Sequence, residues 1–232
     1  MGREIKVAVI YTGMPLNLIE AIEDELKAAT KGMNLTILSQ SNPAIINDAI
    51  ANGRPGQGAR RNLIGMYMQA MQSGADIILN ACSSVGDVAD IAGPLFEDLG
   101  VPLIRIDEEM AATAISKYRK IGVIATLTST IEPTKRLIRR MAAQAGKDIE
   151  IIDVVAEGTF DKPIESVTEI LVNEACRIKD KVDCLLLAQG SMVSFEKRIA
   201  MATGKPTLSS PRYGAQSVRR AIDQILLAQS LK

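Results

Sequence analysis

After a short charged start the chain runs through Lys6-Val7-Ala8-Val9-Ile10-Tyr11 and stops at Thr12-Gly13. A continuous apolar run closed by a turn signal reads as a strand buried on both faces, as in a parallel sheet. From Leu16 to Ala29 the spacing changes: Leu18, Ile19, Ile22 and Leu26 recur with helical period. Leu35-Thr36-Ile37-Leu38 is the next strand. Asn62 to Gln72 carries Leu63, Ile64, Met66, Tyr67, Ala70 and Met71, a helix whose methionines read as core filler. Asp76 to Asn80 is a strand, Val85 to Leu99 a helix expected to break near Gly93-Pro94, and Val101 to Ile106 a strand. Strands alternating with helices predict an α/β fold with a mostly parallel sheet.

The pattern then starts again. Lys120-Ile121-Gly122-Val123-Ile124-Ala125-Thr126 echoes residues 6–12, and Val182 to Gln189 echoes Ala75 to Cys82. Lys205-Pro206-Thr207-Leu208 answers Val101-Pro102-Leu103 at nearly the same spacing. Three segments repeated in one order predict a duplicated α/β unit. The expected domains are residues 1–112 and 113–212, with the amphipathic stretch Ala215 to Leu227, inside residues 213–232, packing back on the first half as a helix.

Composition narrows the chemistry. The 232 residues contain no His, so a Ser-His-Asp triad, a Cys-His dyad and a His-ligated zinc are all excluded. Formal net charge is +0, which gives no overall drive towards nucleic acid or an anionic membrane. Aromatics are 3% of the chain and Trp is absent, which argues against base- or sugar-stacking platforms. Cys82, Cys176 and Cys184 form no C-x-x-C pair, so neither a disulfide framework nor a metal site is expected. Free thiols, a first segment without an apolar signal core and no run of transmembrane length together predict a cytoplasmic protein.

In open α/β sheets ligands bind beyond the carboxyl ends of the strands. The residues expected there are Tyr11 and Thr12; Cys82, Ser83 and Ser84; Asp107; Thr126, Thr128, Ser129 and Thr130; and Gln189, Gly190 and Ser191. Cys82 ends a strand and precedes a helix, where backbone amides stabilise a thiolate, able to take a proton or attack an electrophile. Cys176 lies in a helical stretch and Cys184 within a strand, which reads as structural. The hydroxyls of residues 126–130 suit either a carboxylate or the capping of a helix beginning near Glu132-Pro133. Gly53 to Arg61 fits no nucleotide loop; it is either a solvated loop and helix start or a lid bringing Arg54 or Arg60 to an anion. Asp107-Glu108-Glu109 reads as a carboxylate base or as helix N-terminal charge.

Asn80-Ala81-Cys82-Ser83-Ser84 and Leu187-Ala188-Gln189-Gly190-Ser191-Met192, set in duplicated halves, resemble the two cysteine motifs of the aspartate/glutamate/hydantoin racemase superfamily. The resemblance covers nearly the whole chain. It implies two pseudo-symmetric Rossmann-like (flavodoxin-like) domains with the active site in the cleft between them, no cofactor, a small carboxylate substrate and a homodimer or higher homo-oligomer. It also implies that Cys82 acts as acid/base or nucleophile while Tyr11, Thr12, Ser83, Ser84, Thr126, Thr128, Ser129, Thr130, Gln189, Gly190 and Ser191 contact the substrate. The family's second cysteine position holds Gln189 here, and an amide cannot exchange a proton at neutral pH. Tyr11, Asp107, Glu108 and Glu196 are the remaining candidates for a second acid. The expectation is a racemase or isomerase of a small carboxylic acid. The alternatives are a one-thiol decarboxylase or lyase, or an inactive protein that binds a small anion.

Overall fold

The computed structural model describes residues 3–13, 16–159 and 162–230. Met1 and Gly2, which open the segment read above for a leader, lie outside the described residues, as do Leu231 and Lys232 at the carboxyl end. The first half runs β1 (Ile5–Tyr11), α1 (Leu16–Ala29), β2 (Leu35–Ser41), α2 (Pro43–Asn52), α3 (Gln57–Gln72), β3 (Ile77–Asn80), α4 (Gly86–Asp98) and β4 (Leu103–Arg105). The second runs α5 (Glu108–Lys117), β5 (Lys120–Ala125), α6 (Thr128–Gln144), β6 (Glu150–Val155), α7 (Ile164–Ile178), β7 (Cys184–Leu187), α8 (Glu196–Thr203), β8 (Thr207–Ser209) and α9 (Ser210–Ser230).

Among the described residues the strands form two four-stranded sheets, ordered β2-β1-β3-β4 and β6-β5-β7-β8. Every pairing is parallel, so each connection must cross over, and helices supply the crossovers. The repeat extends to its fastenings. Asp76 N–H donates to the Lys6 carbonyl at 2.8 Å and its carboxylate accepts Lys6 N–H at 2.8 Å. Asp183 repeats both bonds with Lys120, at 2.7 and 2.8 Å, and adds Arg119 N–H at 3.1 Å. These peptide bonds hold the Asp183 carboxyl below the usual carboxylate range.

The chain divides into two compact units, residues 1–106 with 211–232, and residues 107–210. In the first unit the two faces of β1 feed two cores, as strand alternation requires. Val7, Val9 and Tyr11 pack with Ile22 and Leu26 of α1 and with Val218 and Ile222 of α9. Ala8 and Ile10 pack with Ile45, Leu63, Tyr67, Val88 and Phe96. The approach of α9 is close: a Cβ on Gly214 would stand 2.6 Å from Ile106 Cγ1. In the second unit Ile124, Leu185 and Leu187 pack with Leu171, Ala175, Met192 and Ile199. Helix α5 packs on α6 and β7, so the division falls after Ile106 and α5 belongs wholly to the second unit.

Two prolines behave differently from their sequence reading. Pro94 lies inside α4, which is uninterrupted because Val88, Ala89, Ala92 and Phe96 bury one face on both sides of it. Pro133 lies inside α6, which starts at Thr128 rather than near Glu132. Lost amide donors at these sites are outweighed by packing of the apolar stripe. Among the described residues no helix is long and apolar enough to cross a membrane.

Candidate active site

The chain leaves β3 through Cys82, which is extended at φ −133° and ψ 114°, turns through a short 3-10 segment, Ser83–Val85, and enters α4. Cys82 is half-buried, whereas Cys184 is wholly buried inside β7. Burial first, and the Asp183 charge second, push the Cys184 thiol up to about 12. Cys176 is half-buried in α7, with its thiol 3.8 Å from the Ala202 carbonyl.

The backbone of Cys82 is held from within. Asn80, with no exposed surface, donates from Nδ2 to the Cys82 carbonyl at 3.0 Å and accepts the Tyr67 hydroxyl on Oδ1 at 2.9 Å. Tyr67 meets Phe96 edge to face, with ring centroids 5.9 Å apart. Burial raises the Tyr67 phenol well above its ordinary range and the charge on Cys82 raises it further; Arg105 opposes this. Arg105 is almost fully buried and donates to Asp90 at 2.7 Å. Its guanidinium covers Gly86, where a Cβ would fall 2.4 Å from Cζ. Sequence reasoning missed Asn80, Tyr67 and Arg105; a buried Asn two residues before the cysteine, in an otherwise apolar strand, was the available signal.

Thr12, Ser83 and Ser84 are buried beside the same strand ends. The Tyr11 phenol is pushed up by burial and then by the Glu23 charge, with Ser39 opposing, so it is a neutral donor and not an acid near neutral pH. Among the described residues, the Oγ atoms of Ser41, Ser83, Ser129 and Ser210 are buried without a hydrogen-bond partner. Each follows or ends a strand at its carboxyl end: β2, β3, β5 and β8 respectively. Buried hydroxyls are normally paired, so each of the four is unusual at its own strand end. Ser210 was not among the expected contacts. Its signal was the Ser209-Ser210 pair at the end of the strand answering Val101-Pro102-Leu103.

At the second unit's edge, Ala188 N–H donates to the Ile124 carbonyl at 2.9 Å, as Ala81 N–H does to Ile10 at 3.0 Å. Gln189 therefore occupies the position that Cys82 occupies in the first unit. Its Oε1 accepts Thr126 N–H at 2.7 Å, and its amide and the Thr126 hydroxyl lie 2.8 Å (Nε2) and 3.1 Å (Oε1) apart. Thr126 and Gln189 thus hold each other, Gly190 is buried, Ser191 half-buried, Thr128 exposed and Thr130 buried.

Other candidates are already engaged. Glu108 pairs with Arg140 at 3.1 Å, and Glu196 accepts the Ser209 hydroxyl. Asp107 is buried at the N-cap of α5. Residues 53–61 are fastened, with Gly56 N–H on Asp48 at 2.6 Å and Arg60 on Asp87 at 3.1 Å and on the Pro55 carbonyl at 3.1 Å. Because α3 begins at Gln57, Arg60 is a helix residue tied to its neighbours and not part of a loop reaching outward. No group of three or more His, Cys, Asp or Glu side chains that would hold a metal occurs among the described residues.

Fold and site together are those of an α/β protein built from a duplicated parallel unit, with a thiol just beyond the third strand of the first copy. The Asp/Glu/Hydantoin racemase family matches residues 16–218, and the chain belongs to that family. No curated protein sequence matches the chain. Among solved structures, glutamate racemase from Francisella tularensis in complex with D-glutamate superposes with a TM-score of 0.72 at 14% identity, covering 96% of this chain and 82% of that one. Allantoin racemase from Klebsiella pneumoniae gives 0.66 at 16% identity, covering 95% and 88%. A mutant arylmalonate decarboxylase gives 0.59 at 12% identity, covering 93% and 92%. At these identities the likeness is one of fold.

Proposed function

We propose that the protein is a cofactor-independent isomerase of racemase type, in which Cys82 moves the α-proton of a small carboxylic acid. The observation that carries this reading is the half-buried Cys82 at the carboxyl end of β3, with its backbone fastened by Asn80. A thiolate there takes the proton from carbon, and the C–H electron pair passes into an enediolate of the substrate carboxylate. Ser83 and Ser129, whose buried hydroxyls lack partners, supply donors for that developing charge. Tyr11, Thr12, Ser84, Thr128, Thr130, Gly190 and Ser191 complete the contact set. Thr126 and Gln189 act as a bonded pair, with Gln189 a fixed amide and not a proton donor.

A second reading, a decarboxylase or lyase of the same family, is favoured by that same amide. One thiol suffices where an enediolate formed by loss of carbon dioxide takes a proton on a single face. Proton NMR in heavy water, with a panel of amino acids, hydroxy acids and hydantoins, tests the proposal. Loss of an α-proton signal that Cys82→Ala abolishes is expected. Retention of every signal, with stoichiometric carbon dioxide released from a malonate, selects the second reading. Ligand-induced thermal stabilisation without any turnover leaves only a binding protein.

A further inference from the structure

The two strand ends differ two residues before the thiol. The β3–β4 and β7–β8 pairings place Asn80 in the first unit where the second has Leu187. A leucine is what a strand buried on both faces calls for. An amide there must be desolvated, and it destabilises the strand unless it is fully bonded. Asn80 is bonded on both sides of its amide, to the Tyr67 hydroxyl and to the Cys82 carbonyl. Its backbone carbonyl also accepts Ile106 N–H at 3.1 Å, which ties it to the residue after β4. The polar pair is thus built into the unit that carries the thiol, and its end bond falls on the thiol's own residue.

Resting on the reading of Cys82 as the proton-transfer group, we infer that Asn80, locked by Tyr67, is the positioning residue of that thiol. A carbonyl held at 3.0 Å fixes the peptide plane leading from Cys82 into Ser83. The direction of the thiol and of the amides after it then follows from a side chain that is itself immobile. Asn80 and Tyr67 touch no substrate. They act by denying Cys82 other backbone conformations, which is how supporting shells hold a reacting group to the needed geometry.

The test is the pH dependence of iodoacetamide alkylation at Cys82, resolved by peptide mass spectrometry in Asn80→Leu and Tyr67→Phe proteins. Leu already stands at the corresponding place in β7, and Phe keeps the edge-to-face contact with Phe96. The expected result for Asn80→Leu is a midpoint raised by about one pH unit, with alkylation near pH 7 slowed about tenfold, because the Cys82 carbonyl loses the bond that fixes the peptide leading into Ser83. Tyr67→Phe is expected to give about a threefold slowing in the same direction. A merely structural role lowers the melting temperature and leaves the profile where it was. Asn80→Leu protein that folds and alkylates with the wild-type profile overturns the inference; if that variant does not fold, an unshifted profile in Tyr67→Phe does so. The readout needs no turnover, so absence of α-proton exchange in the wild type defeats the functional reading while the profiles still decide the role of Asn80.

Discussion

The ends of β3 and β7 are the same piece of architecture holding different chemistry. Both leave a central parallel strand through an extended residue, at φ −133° for Cys82 and −117° for Gln189, and both continue into a 3-10 segment. In the first unit the side chain at that position is a thiol, while a buried neighbour holds its backbone. In the second the side chain itself is held by Thr126. Duplication has kept the frame and changed what it carries, with a thiol at one strand end and a fixed hydrogen-bonding amide at the other.

The two strand ends should differ most in thiol selectivity. Cys184 lies one strand-length before Gln189, with its thiol pushed up to about 12 against an ordinary value of 9.0. Near neutral pH its thiolate fraction is thus about a thousandfold below that of an ordinary thiol, each unit being tenfold. Alkylation of the native protein should therefore modify the half-buried Cys82 well before Cys184, with Cys184 reacting only after denaturation. Equal rates would place the two strand ends on the same chemical footing.

Next comes Gln189→Ala. Removing the bonds to Thr126 should lower the unfolding free energy by about 2 kcal/mol, measured from denaturant midpoints, since each such bond is worth roughly 1 kcal/mol net. The structural debt is owed at the amide and not at the thiol. Gly86→Ala should cost about 1–3 kcal/mol by the same measurement, because the new methyl displaces the Arg105 guanidinium from its buried place beside Asp90. The smallest effect concerns acid. Asp183, with its folded carboxyl held below 3.8 by peptide hydrogen bonds, contributes stability that is present above that value and lost as pH falls through the folded one. The melting temperatures of wild type and Asp183→Asn should therefore converge as pH drops below about 4.

Much of this fold was legible in the chain. Apolar runs such as residues 7–11 and 184–187 read as strands buried on both faces, and the echo of each in the other half disclosed the duplication. The helix limits around Pro94 and Pro133 differ from what the chain suggests because proline's local penalty is visible in sequence, whereas the packing that outweighs it is not. The start of the second unit, residues 107–112, was harder, since α5 follows β4 in the chain yet packs on α6. At the site, Cys82 and Gln189 could be named from motif and repeat. The engagement of Arg60, Glu108 and Glu196 with partners 13 to 32 residues away could not be read, nor could the Tyr67–Asn80 bond, because these depend on which helix faces which strand.

The most direct test of the central claim, that Cys82 moves a proton on carbon, is α-proton exchange in heavy water followed by NMR for wild type and Cys82→Ala at equal concentration. The α-proton signal of at least one small carboxylic acid should decay with the wild type and persist with the variant. Equal decay in both proteins, or no decay with any acid in the panel, would contradict it.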